Sequence, residues 1–171
     1  MFLLFHIAIP LLVFEIPRIK TYLNFNRLAL IIGALLPDLI DKPILLLSLG
    51  SGRGYSHSLL FVAILYISTF LITKKKTLIA NSLAIGVLFH LLLDLPEVPL
   101  FAPFIQYNFE IIDDPLRYWL NKLFTDPLIQ STEIIGLSGL IFILIHNKLF
   151  KFKKIFHYLI QNNIKSKALF L

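Results

Sequence analysis

Five apolar stretches, near residues 2–16, 28–49, 58–73, 77–95 and 128–147, set the folding problem for this chain. A helix needs about 20 residues to cross the hydrocarbon of a bilayer, where only helices and closed barrels satisfy their own backbone. The fourth and fifth stretches meet that length. The first and third fall short, and the second is interrupted by Pro37 and Pro43. With 57% hydrophobic and 15% charged residues and a mean hydropathy of +0.82, the sequence is too apolar for an ordinary soluble domain. It predicts an all-α, polytopic membrane helix bundle of about five helices, the second broken after Leu36, with a long extracytoplasmic connection. The run ILLLSLG after Pro43 reads as a re-entrant or interfacial piece. The opening segment lacks a basic n-region and a small-residue cleavage site, so it reads as a retained helix.

Two units are expected: a transmembrane domain over 1–147 and a basic tail over 148–171. The tail sets Leu149, Phe152, Phe156 and Leu159 on one helical face and lysines on the other, the pattern of a helix on an anionic leaflet. An ordinary solvated tail is the alternative. Residues 96–127 carry five prolines, and within them DPLRYWLNKLF predicts a short interfacial helix bearing the single tryptophan, Trp119. There is no cysteine, which excludes disulfides and thiolate metal sites.

Five crossings would place twelve of the sixteen Lys and Arg residues on one side, among them Lys74, Lys75, Lys76 and the tail lysines. That side is expected to be cytoplasmic, which puts the N-terminus outside and the C-terminal tail inside. The net charge of +6 then belongs to membrane orientation and lipid headgroups. The bilayer is the expected partner, nucleic acid is not, and the oligomeric state is not readable.

The same topology sends six ionisable residues to the outer side: His6, Asp38, Asp41, His57, His90 and Asp94. Such groups are costly near lipid and mark functional sites there. His90 and Asp94, four apart in HLLLD, share a helix face. His90 lies about 20 Å along the helix from Thr77, below the interface rather than in free water. Each residue also has a plainer reading. His6 could be a packed histidine, Asp38 and Asp41 a proline-bounded turn, His57 a helix cap beside Ser56 and Ser58, and His90 with Asp94 a hydrogen-bonded pair. Glu133 reads either as an extra ligand or as an interfacial carboxylate.

Imidazole and carboxylate together suit zinc, manganese or iron, with zinc or manganese expected here, held as one ion or as two bridged by an aspartate. A divalent metal at headgroup depth would activate water and polarise an ester or phosphoryl oxygen. Arg53, four residues before His57, offers a fork of donors for a substrate anion. Arg53 and Asp41 are the candidate catalytic residues.

The strings GALLPDLIDKP, GRGYSHSLLF and HLLLD, in that order after an early histidine and followed by VPLFAPF, resemble the membrane-bound metal-dependent hydrolases. The DKP and GRG forms look most like archaeal members. Bacterial members include inner-membrane proteins regulated by the DNA-damage repressor. The resemblance covers about residues 1–104 and implies a helical membrane protein with a divalent-metal centre and a hydrolytic activity. The matching positions are the same six residues. Two features depart from the commoner pattern: Asp38 and Asp41 are three apart rather than two, and Gly52 stands where many members carry a histidine.

The leading expectation is therefore a membrane-bound metal-dependent hydrolase acting on a phosphoester or lipid ester at the extracytoplasmic face. The alternatives are a metal-ion or proton transporter, which needs polar groups continuing to the other side, and a non-enzymatic membrane assembly protein.

Overall fold

Side-chain caps fix where most of the helices start. In a computed structural model describing residues 3–47, 52–109 and 112–160, the chain forms α1 (Leu3–Glu15), α2 (Pro17–Tyr22), α3 (Arg27–Leu46), a 3-10 turn (Tyr55–His57), α4 (Leu59–Ile72), α5 (Thr77–Leu93), α6 (Pro115–Thr125), α7 (Pro127–His146) and α8 (Phe152–Ile160). Asn26 caps α3, Ser58 caps α4, Asp114 caps α6 and Asp126 caps α7, each side-chain oxygen accepting from a first-turn N–H. Pro115 and Pro127 occupy first-turn positions of α6 and α7, where no donor is needed. The start of α1 is held from a distance, because Glu133 of α7 accepts from the Leu4 and Phe5 N–H groups at 3.2 and 3.3 Å. Glu133 therefore acts as a helix cap rather than a ligand.

The second apolar stretch is not broken. α3 runs unbroken through Pro37 and Pro43, contrary to the expectation that it ends near Leu36. Each proline deletes a single ladder donor, and packed neighbours make that tolerable in a buried helix. Pro37 is fully buried, and Ser56 braces the helix just there, its hydroxyl lying 3.1 Å from the Pro37 carbonyl. Part of the ILLLSLG run (48–50) and the tail beyond Ile160 lie outside the described residues.

Helices α3 and α5 lie side by side and run the same way, with α4 as the return between them. Asn26 meets Ser82 near one end and Ala34 meets His90 near the other. Their backbones touch: a Cβ on Gly33 would lie 2.1 Å from the Leu83 carbonyl oxygen, and one on Gly86 would lie 2.3 Å from that of Leu30. Helices α1 and α7 are likewise parallel, with Phe5 against Gly136 and Leu12 against Gly139. Small residues at crossings are how apolar helices approach closely. Val62, Ala84, Val87 and Leu91 fill the α4–α5 seam. Leu11, Phe14, Phe25, Leu30 and Ile143 fill the end where α1 stops and α3 starts, together with Leu149 and Tyr158 from the tail.

Among the described residues, α7 is the one helix long and apolar enough to cross a bilayer. Only 22% of its apolar window is buried, so it is not the core helix of a soluble fold. α1, α4 and α5 are apolar with 13, 14 and 17 residues, and α3 has 20 but carries Arg27, Asp38, Asp41 and Lys42. Large apolar side chains stand exposed on several helices, including Ile32, Leu39, Ile64, Ile67, Ile134 and Ile141.

Candidate metal centre

Four structural elements converge at one end of the bundle. His6 comes from the first turns of α1, Asp38 and Asp41 from successive turns of α3, His57 from the 3-10 turn, and His90 and Asp94 from the end of α5. One ligand atom from each of Asp38, His57, His90 and Asp94 lies within 4.8 Å of the other three. His57 and His90 have almost no exposed surface, and the side chains of Asp94 and Asp38 are 5% and 13% exposed.

Hydrogen bonds decide which imidazole nitrogens face the centre. His57 Nδ1 lies 2.7 Å from a carboxylate oxygen of Asp41, and His90 Nδ1 lies 2.7 Å from the Ala34 carbonyl oxygen. Both partners are acceptors, so both Nδ1 atoms carry protons. The two Nε2 atoms are left facing each other at 3.2 Å. Two opposed lone pairs repel unless a positive charge sits between them. Asp38 closes the group at 3.7 and 3.9 Å from the two Nε2 atoms, and Asp94 lies 3.5 Å from that of His90. Zinc–nitrogen bonds of about 2.0–2.1 Å in tetrahedral array imply ligand–ligand edges of about 3.3 Å. The observed separations fit such a donor set after small side-chain adjustment.

The remaining candidates surround this group. Asp41 accepts from the Gly54 N–H at 2.7 Å, from the Ser56 hydroxyl and from His57 Nδ1, which leaves it oriented away from the four-residue cluster. A Cβ at Gly54 would lie 3.1 Å from the Asp41 carboxylate, so a glycine is what lets the loop close on it. His6 packs against His90 with ring centroids 4.3 Å apart and planes tilted by 34°, and its Nε2 lies 3.2 Å from the outer oxygen of Asp94. Carboxylate or carbonyl partners behind each imidazole are the arrangement that fixes ring orientation in metal sites. Burial alone would lower the basicity of His57. The nearby Asp38 carboxylate and the hydrogen-bonded Asp41, with their charges, outweigh that and raise it above the ordinary imidazole value.

A cleft of about 530 Å3 opens onto the cluster, with Asp38, His57 and Asp94 in its wall. Lys42, Arg53 and Lys122 also line it, and Trp119 of α6 forms another side. Arg53 pairs with Glu97 at 2.6 Å, while Lys42 pairs with Asp38 and lies 5.6 Å from the Trp119 ring centre. Neither Lys42 nor Lys122 stood out in the sequence. Lys42 had one signal, its position four residues after Asp38. Lys122 had none, because the fold-back of residues 96–126 alone brings it there.

No curated protein and no solved structure matches the chain. A family model described as YdjM inner membrane protein matches residues 1–155, a span that contains every residue of the cluster and the whole of the cleft. This chain belongs to the YdjM inner membrane protein family.

Proposed function

We propose that the protein is a multi-pass, divalent-metal-dependent hydrolase of phosphoesters or lipid esters, with its site at the extracytoplasmic face and its C-terminal tail in the cytoplasm. The observation that carries this reading is the pair of imidazoles with both Nδ1 atoms committed, both Nε2 atoms converging, and two carboxylates closing the group. Asp38, His57, His90 and Asp94 would hold the ion, zinc or manganese by donor type. Such an ion, when bound, supplies Lewis acidity and makes water a nucleophile near neutral pH. Asp41 fixes the ring of His57, the Ala34 carbonyl fixes that of His90, and His6 holds Asp94. Arg53 and Lys42, beside the cluster, are placed to grip the anionic part of a substrate, and Trp119 covers the cleft at headgroup depth.

Transport is less well supported. Between the cluster and the opposite end, the buried α3 and α5 positions among the described residues include Leu30, Gly33, Ala34, Ala84, Gly86 and Val87, all apolar, and the buried Ser82 hydroxyl lies beyond them against the Asn26 N–H. The deciding experiment loads the reconstituted full chain with zinc or manganese and screens phosphomonoester, phosphodiester and carboxylic-ester probes. Metal-stimulated cleavage of one class is expected. Metal flux across proteoliposomes with no cleavage would reverse the assignment.

Two outcomes separate the roles. Asp41→Asn should weaken metal affinity about 10- to 100-fold, as loss of an orienting partner does, with circular dichroism unchanged. Competition with a chromophoric chelator measures it. Arg53→Gln should raise KM about 10- to 100-fold with bound metal unchanged, the scale of one charge-assisted contact, while kcat moves little. A fall in kcat alone would remove Arg53 from substrate binding.

A further inference from the structure

The opposite end of the bundle carries a second constellation. α7 ends at His146 and α8 begins at Phe152, so the short helix emerges just beyond the segment best suited to cross a bilayer. Nine residues cannot hold a helix unaided in water. A buried polar network holds this one. The Tyr158 hydroxyl donates to Glu15 at 2.7 Å, Arg27 donates to the Tyr158 carbonyl at 3.3 Å, and its guanidinium lies 4.1 Å from the Tyr158 ring centre. Glu15 also pairs with Arg27 and Lys20. Burial and the bond to Glu15 keep the phenol protonated well above its usual range.

Anchoring splits the apolar face of α8 in two. Ile155, Tyr158 and Leu159 pack inward against the bundle. Phe152, Phe156 and Ile160, at i, i+4 and i+8, are 81%, 58% and 45% exposed, and Phe150 before them is 75% exposed. Next to this apolar strip, Lys153, Lys154 and His157 line a pocket of about 550 Å3 whose other walls are Asn147, Leu149 and Tyr158. No Asp or Glu follows Glu133 anywhere in the sequence, and Glu15, the carboxylate at this end, is already held by three partners.

We propose that this pocket binds the phosphate headgroup of an anionic phospholipid in the leaflet opposite the metal cluster, with Phe152, Phe156 and Ile160 set into the acyl boundary. Charge complementarity and the junction with α7 select a lipid surface over a soluble partner. Lys153 and Lys154 meet the phosphate, His157 and Asn147 flank it, and the exposed phenylalanines supply the buried area that a headgroup contact alone lacks. Arg27, which holds Tyr158, lies about 17 Å of helix from Asp38 along α3. The site does not depend on hydrolysis.

The test places a reporter on the strip. Phe156→Trp in a Trp119→Phe background leaves one indole in the full chain, reconstituted into nanodiscs containing brominated phosphatidylglycerol or brominated phosphatidylcholine at equal fraction. Phosphatidylglycerol should be enriched at the indole at least about fivefold, the equivalent of one lysine–headgroup contact. Lys153→Gln with Lys154→Gln should erase the preference while quenching itself persists. A circular dichroism spectrum matching the parent is the check that the variant is folded. Equal quenching by both lipids in the parent would remove the headgroup site. Absence of quenching would show that the strip serves something other than a lipid.

Discussion

Asp38→Asn should reduce bound divalent metal from about one equivalent to background, and turnover by about 10^3-fold or more. The change keeps the side chain's shape and removes one of the two charges that balance a dication. Metal polarisation is worth several kcal/mol of barrier, and about 4 kcal/mol corresponds to three orders of magnitude. The fold should survive, because Lys42, the partner left behind, is 34% exposed and can turn to water. Asp113→Asn, at an exposed position that does not line the cleft, is the control and should bind metal like the parent. Elemental analysis of the purified, dialysed proteins reads the difference. Full metal content in Asp38→Asn would remove Asp38 from the ligand set.

The second large effect is at the crossing that builds the site. Gly33→Ala would place a Cβ 2.1 Å from the Leu83 carbonyl oxygen and about as close to its backbone carbon as contact allows, at 3.0 Å. The obstacle is backbone, so the helices must separate. Overpacking of this kind costs about 3 kcal/mol or more, a drop of about 6–12 °C in Tm for a chain of this size. Separation also pulls the Ala34 carbonyl from His90, so metal affinity should fall together with stability. Gly139→Ala is the contrast. Its Cβ would meet the Leu12 Cδ1 atom at 2.7 Å, the far end of a flexible side chain, and the cost should stay below about 1 kcal/mol. Equal melting temperatures for the two variants would mean that the α3–α5 crossing does not position the site.

Much of this was written in residue order. Hydrophobic runs give the positions of α1, α4, α5 and α7 because a helix satisfies the whole backbone of an apolar stretch within that stretch, and charged or capping residues end each one. His90 and Asp94 are one helix turn apart in the sequence and stay so in the fold. Asp38 and Asp41 show where sequence stops. Their spacing puts both on one side of α3, yet only the loop carrying Gly54 and Ser56 assigns Asp41 to His57 and leaves Asp38 facing the two imidazoles.

The misreading of α3 has a physical cause. Proline is a breaker when the carbonyl four residues earlier, left without its donor, must face lipid, and the sequence does not reveal that Pro37 is packed inside the bundle. α2 was invisible because six residues of mixed character, PRIKTY, are too few to show a period. The Glu15–Arg27–Tyr158 network spans 143 positions, from Glu15 to Tyr158, and no local pattern announces it. The tail's apolar face was legible as a stripe, but its division into a packed half and an exposed half depends on where Arg27 and Glu15 stand.

X-ray absorption at the metal edge of the full chain, purified from metal-replete cells, addresses the central claim most directly. The account predicts close to one divalent ion per chain with only nitrogen and oxygen ligands at about 2.0–2.2 Å and the scattering of two imidazoles. Less than about a tenth of an equivalent, or a bound metal whose spectrum shows no imidazole, would contradict it.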